Sequence, residues 1–215
     1  MDMFKPCSTQ KLSMHEVLPS DVACAVVLDR DVLVVRSLHG FNNLACNLGD
    51  RLFAMAPEGG DWYVRVHGPS WADVSYIPPT GFNSGILGMN VAALRVADFA
   101  SVMRRAHRRY SALNYNLKLG DQDMLSAFFV ERPESLQPMD CMFNTRVHGS
   151  DAACDCCTAG GHLHDGVIVH GNAREFQGCS PVGVFWQQHA AIHARYRGFI
   201  LPYEPARNGR CLALL

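Results

Sequence analysis

The chain has 215 residues, of which 48% are hydrophobic and 18% charged, and a formal net charge of -1. That balance supports one globular domain with its own core, residues 1–215, and argues against a disordered, collagen-like or coiled-coil chain. It also argues against nucleic acid as a partner, and no apolar run reaches the roughly 18 residues of a membrane segment.

In chain order, the spacing predicts a short helix over Phe4–Pro19, with Ser8 as N-cap. Ala23–Leu28 (ACAVVL) is a continuous apolar run that suits a strand buried on both faces, as in a parallel sheet. Asp29, Arg30 and Asp31 interrupt or end that strand before the apolar run resumes at Val32–Val35. Leu52–Ala56 and Ile86–Met89 read as further strands, and Pro57–Pro79 as loop. Val91–Asn114 reads as one amphipathic helix, with Leu94, Phe99, Val102, Met103, Ala106 and Tyr110 on its apolar face. Gly120–Phe129 predicts a helix opened by carboxylates, Arg132–Met139 a polar loop, Val167–Val169 a strand and Pro181–Tyr196 a helix. Strands alternating with helices place the chain in the α/β class with a largely parallel sheet.

Several constellations have residue types suited to chemistry. Asp29 and Asp31, at i and i+2, would present two carboxylates to one face of a strand. Like charges beside an apolar strand need a cation or donors, and hard carboxylate oxygens suit Mn²⁺ or Mg²⁺, which in turn hold a diphosphate. The alternative is a solvated strand end. His170, next to the strand 167–169, can add an imidazole to the same ion, and Gly171 lets backbone approach a phosphate. The alternative is a histidine satisfied at a strand end. Asn83, Ser84 and Gly85 offer groups for sugar hydroxyls, or plain turn chemistry. Asp121, Gln122 and Asp123 offer acceptors and an amide to a polar substrate, or helix capping.

Nine cysteines, an odd number, suit an oxidising lumen and leave at least one thiol unpaired within the chain. The first residues, MDMFKPCSTQ, lack the apolar core of a signal peptide. Cys154, Cys156, Cys157, His162 and His164 resemble a zinc site by residue type, but their spacing fits disulfides or free thiols better. Arg104, Arg105, Arg108 and Arg109 read as the solvated face of their helix, with an anionic partner as the alternative.

The ordered blocks FKPCSTQKL, LDRDVLVV, AMAPE, TGFNSGILGMN, GDQDMLSAFF and VIVHGN resemble glycosyltransferase family 8, and within it the glucoside xylosyltransferases. The resemblance runs from about Met3 to Arg195. It implies a GT-A-like fold and Mn²⁺ as cofactor, with Mg²⁺ as the other candidate. It implies retaining transfer of xylose from a UDP-xylose donor to O-linked glucose on EGF-like repeats. It also implies a Golgi or endoplasmic reticulum lumen and a type II membrane topology. Carried over by motif, Asp29, Asp31 and His170 match the metal ligands. Asn83, Ser84 and Gly85 match donor-sugar contacts, and Asp121 and Gln122 match the pair beside the anomeric carbon. Gly171 and Asn172 match the diphosphate site. Lys11 stands where the family usually has arginine, which exchanges a forked contact for a point charge. After Cys141 the run MFNTRVHG replaces an aromatic, basic stretch associated with the acceptor, and Arg174 is a weaker candidate for a phosphate contact. By this resemblance the chain is read as lacking the first strands and the anchor ahead of FKPC. Two alternatives follow: a non-catalytic or truncated relative unable to bind UDP productively, or an interaction module built on the Cys/His loop.

Overall fold

A computed structural model of the chain describes residues 6–58, 81–112, 118–146 and 166–171. The Cys/His cluster, Asn172, Arg174 and the expected helix 181–196 lie outside these residues. The described residues all fall within one compact unit, Met1–Asn172.

A 3-10 helix, Pro6–Ser13, leads into a single α-helical turn, α1 (Met14–Val17), in place of the one helix expected there. Strand β1 (Cys24–Leu28) pairs with β4 (Ile86–Asn90), which pairs with β3 (Phe53–Met55), which pairs with β5 (Leu136–Pro138). A second sheet has the order β2 (Val32–Val34), β7 (Ile168–His170), β6 (Thr145–Arg146).

The α/β class holds, but strand directions are mixed rather than largely parallel. The β1–β4, β3–β4 and β2–β7 pairs are antiparallel, whereas β3–β5 and β6–β7 are parallel. An apolar run reports burial and carries no information about a partner's direction. Strand β1 is half-buried along its whole length rather than enclosed, because it stands at the end of the strand order. In the same sheet β3 is buried at every position, as are the short strands β6 and β7 of the second sheet.

Alternation along β3 divides the core. Phe53 and Met55 pack with Phe99, Val102, Leu125, Phe128 and Phe129. Those residues lie on α4 (Phe99–Ala112) and α5 (Asp121–Glu131). Phe53 meets Phe99, Phe128 and Phe129 at ring-centroid distances of 5.4, 6.5 and 5.9 Å. Ala54 faces the other way, into a cluster with Phe41, Ile86 and Ile168. Phe41 belongs to α2 (His39–Cys46), a helix that the sequence pattern does not announce. Its segment HGFNNLAC is poor in helix formers. Tertiary contacts hold it instead: Phe41 is fully buried, and Cys46 is disulfide-bonded to Cys24 of β1. The helix lies so close to the sheet that a Cβ at Gly88 would sit 3.1 Å from the Cβ atoms of both Ala45 and Ala54.

The expected helix 91–114 is two helices, α3 (Val91–Val96) and α4, separated by an extended Ala97. Asn90 caps α3 by accepting from the Ala93 amide. The arginine face of α4 is solvated as expected, with Arg104, Arg105, Arg108 and Arg109 all exposed. The expected loop 132–139 contains β5, whose three residues are too few for periodicity to reveal.

Arg95, at the end of α3, fixes the approach to β1. Its guanidinium donates to the carbonyls of His15, Leu18, Pro19, Ser20 and Val22 at 2.7–3.1 Å. A planar fork of N–H donors suits such a ring of carbonyls, and a lysine has too few donors. Arg95→Leu is expected to lower stability by about 3 kcal/mol, since hydrogen bonds to a charged group contribute roughly 1.5–3 kcal/mol. Chemical denaturation with an unchanged slope would read this as a lower midpoint.

Candidate active site at the junction of two sheets

The Asp29–Asp31 turn carries the chain from one sheet to the other. Leu28, the last residue of β1, is paired with Ile86, and the Asp29 amide donates to the Gly85 carbonyl at 2.7 Å. Val32, the first residue of β2, is paired with His170, and the Gly171 amide donates to the Asp31 carbonyl at 2.7 Å. The aspartates therefore end one strand and precede another, rather than sharing a face of one strand. Their backbone bonds to Gly85 and Gly171 bring the start of β4 and the end of β7 to the same point.

There Nε2 of His170 lies 3.6 Å from Asp31 Oδ1 and 4.0 Å from Asp29 Oδ2. One ligand atom from each of the three residues lies within 4.8 Å of the others. These separations are too long for hydrogen bonds. They are longer than the roughly 3.0 Å between neighbouring ligands of an ion held at ~2.1 Å, so the three side chains would draw in to hold one. Two carboxylates and an imidazole form a hard, mixed O/N donor set that fits Mn²⁺ or Mg²⁺. The His170 side chain is only 4% exposed, whereas Asp29 and Asp31 are 40% and 31% exposed, so the carboxylates form the open side of the group. Burial tends to raise the Asp31 carboxyl, but the facing imidazole in its charged form and the Arg30 guanidinium outweigh it and hold it below the ordinary value.

Lys11 lies beside this group. Its Nζ is 2.9 Å from Asp29 Oδ1 and 2.8 Å from Asp121 Oδ2, and it donates to the Ser84 carbonyl at 2.7 Å. Burial opposes the charged ammonium, but Asp121 and Asp29 outweigh it and raise its pKa. Asp121, at the start of α5, is 4% exposed by side chain, and burial raises its carboxyl against the opposing pull of Lys11. Gln122 follows it, accepting from the Ser84 amide at 3.3 Å and donating to Glu58 Oε2 at 2.8 Å. Asp123 instead turns back along the chain, its carboxylate accepting from the Leu119 amide at 2.8 Å. That leaves Asp121 and Gln122 turned toward Lys11 and Ser84.

Asn83 is buried, and its amide is engaged within the protein. It donates to Glu58 Oε2 at 2.9 Å, while its Oδ1 accepts from the Gly85 amide at 3.0 Å and from Asn144 Nδ2 at 2.9 Å. Asn144 Oδ1 is 3.0 Å from His170 Nδ1. Arg146 Nη1 pairs with Glu58 Oε1 at 2.9 Å, both side chains being almost fully buried.

The sequence reading named neither Glu58, Asn144 nor Arg146 as a site residue. Glu58 closes the block AMAPE, and a charged residue ending an apolar strand was a usable signal. Asn144 and Arg146 sit in MFNTRVHG, a run whose resemblance points to an acceptor rather than to the metal site. In the structure both side chains are buried against the site's inner wall.

Gly85 has a steric role. A Cβ there would fall onto Cε1 of His170 and within 2.7 Å of Nε2 and 2.8 Å of Nδ1. Gly85→Ala must therefore displace the imidazole. We expect a stability loss of about 1–3 kcal/mol, as for other overpacked sites. We also expect Mn²⁺ affinity to fall further than in a variant of equal stability altered in the Phe53 cluster. Calorimetric titration beside thermal unfolding would separate the two effects.

The sequence model for glycosyl transferase family 8 matches residues 10–162. Glucoside xylosyltransferase 1 of Gallus gallus is 30% identical over 184 residues, covering 79% of this chain and 40% of that protein. Glucoside xylosyltransferase 2 of Xenopus laevis is 33% identical over 184 residues, covering 79% of this chain and 41% of that protein. This chain thus spans about two-fifths of the length of these curated relatives. Among solved structures, mouse xyloside xylosyltransferase 1 in its apo form superposes with a TM-score of 0.60 at 20% identity, covering 76% of this chain and 63% of that one. The galactosyltransferase LgtC, in complex with donor and acceptor sugar analogues, superposes with a TM-score of 0.65 at 18% identity, covering 89% and 70%. At such identities the structural likeness establishes the fold, which is of the GT-A type. With a family match across most of its length and a matching fold, the chain belongs to glycosyltransferase family 8.

Proposed function

We propose that the chain carries the metal and donor site of a retaining UDP-sugar transferase. The donor is UDP-xylose and the acceptor is O-linked glucose on EGF-like repeats. The observation that carries this reading is the convergence of Asp29, Asp31 and His170 at one point from two different sheets. The names of the relatives support xylose as the transferred sugar. In this reading Asp29 Oδ2, Asp31 Oδ1 and His170 Nε2 hold Mn²⁺ or Mg²⁺. Such an ion offsets the negative charge that builds on a departing diphosphate.

The remaining roles belong to the chain's own groups. Lys11 is a buried ammonium between Asp29 and Asp121, placed to neutralise charge at the inner edge of the site. In this reading Asp121 and the Gln122 carbonyl oxygen are the groups that stabilise positive charge developing on the sugar, held in place so that they need not reorganise. Glu58 holds Gln122 in that orientation. Asn83 contributes by holding the Gly85 amide, and Ser84 by presenting its backbone to Lys11 and Gln122. Gly171 stands against Asp31, where its small size leaves room for a diphosphate, and Asn172 follows it in sequence. With front-face departure, the leaving phosphate oxygen takes the acceptor proton, and no side chain is assigned as base.

The Cys24–Cys46 disulfide supports a secretory-pathway lumen as the site of action, and Cys141 is disulfide-bonded as well.

The reading is tested by titrating the chain with UDP in the presence and absence of Mn²⁺. UDP is expected to bind only with the metal. Asp31→Ala is expected to weaken Mn²⁺ at least ~100-fold, since even residues behind the ligands cost about 10–100-fold. UDP affinity that ignores both the metal and the substitution would overturn the assignment.

A further inference from the structure

His170 contributes Nε2 to the acidic group, and a ligand nitrogen must carry a lone pair rather than a hydrogen. Which nitrogen bears the hydrogen is decided by what faces Nδ1. The hydrogen bonds behind the ring determine this from fixed groups, without any assumption about the amides.

At one end the Gly85 backbone N–H can only donate, so the atom of Asn83 that faces it at 3.0 Å must be oxygen. At the other end Glu58 is a carboxylate paired with Arg146, so the atom of Asn83 that faces it at 2.9 Å must be nitrogen. Both ends demand the same orientation of Asn83. Its Oδ1 then accepts from Asn144, which must turn its own nitrogen that way, at 2.9 Å. Asn144 is left with oxygen toward the ring, at 3.0 Å from Nδ1, and an oxygen there requires a hydrogen on Nδ1. A ring with one hydrogen then has its Nε2 lone pair facing Asp29 and Asp31. Asn83, Asn144 and His170 are 3%, 0% and 3% exposed, so water does not compete for these bonds.

We propose that Asn144 is the positioning residue of this centre. It transmits the fixed polarity of the Gly85 amide and the Glu58 carboxylate, through Asn83, to the His170 ring. It holds the hydrogen on Nδ1 and presents the Nε2 lone pair to a divalent cation. The proposal rests on the reading of Asp29, Asp31 and His170 as ligands, and it adds the element that makes the imidazole competent before any ion arrives.

Two measurements on the whole chain test it. Long-range ¹H–¹⁵N correlation of the metal-free protein, at a pH where the ring carries one hydrogen, is expected to find that hydrogen on Nδ1. Calorimetric titration with Mn²⁺ alone is expected to show Asn144→Leu binding about 10–100-fold more weakly than the unsubstituted chain. A hydrogen found on Nε2 would overturn the relay and leave the ligand assignment standing. So would an affinity that stays within twofold in a folded Asn144→Leu. Failure of the unsubstituted chain to bind Mn²⁺ would instead overturn the ligand assignment, and the relay's purpose with it. Where Asn144→Leu does not fold, the tautomer of the unsubstituted protein decides the matter.

Discussion

Two carboxylates and an imidazole held within 4.8 Å of one another make an arrangement that folding alone does not favour. Crowding like charges costs free energy, and burying a polar ring without partners costs more. The site tolerates both because its inner wall is a connected set of hydrogen bonds and ion pairs. Glu58 and Arg146 neutralise each other, Asn83 and Asn144 satisfy each other and the Gly85 amide, and Lys11 answers Asp29 and Asp121. Removing one partner from such a network leaves another buried and unsatisfied, so its members act as a unit.

The fold serves this point from both sides. The four-stranded sheet is anchored by the Phe53–Phe99–Phe128–Phe129 cluster, and the smaller sheet by Ile168 packing with Phe41 and Ile86. The Asp29–Asp31 turn lies where the chain leaves one for the other. Glycine is required at this junction because the His170 ring occupies the space that any side chain at 85 would need. The site is thus set by strand register, Leu28 against Ile86 and Val32 against His170, rather than by a flexible loop. A constellation mounted on strand ends keeps its geometry through the binding of different ligands.

Lysine at position 11 has a structural context. Lys11 Nζ accommodates two carboxylates and a carbonyl around one point charge. Three rotatable donors suit that arrangement, whereas a planar fork would favour one carboxylate over the other.

Much of the site was legible in the sequence because it sits in short blocks. Asp-x-Asp after an apolar run, Asn-Ser-Gly before a strand, Asp-Gln-Asp at a helix start and His-Gly after VIV each carry their residue types openly. Strands β1, β3, β4 and β7 and helix α5 were legible for the same reason: apolar runs and helix-opening carboxylates are local signals. Partner choice was not. The directions of the strands, the helix built from HGFNNLAC and the break at Ala97 depend on contacts between distant segments, which periodicity does not encode. Glu58, Asn144 and Arg146 stayed hidden because each looks like an ordinary polar residue in its own neighbourhood. Only when the chain folds do residues 58, 83, 144 and 170 meet, and a hydrogen bond's direction is a property of that meeting rather than of any one residue.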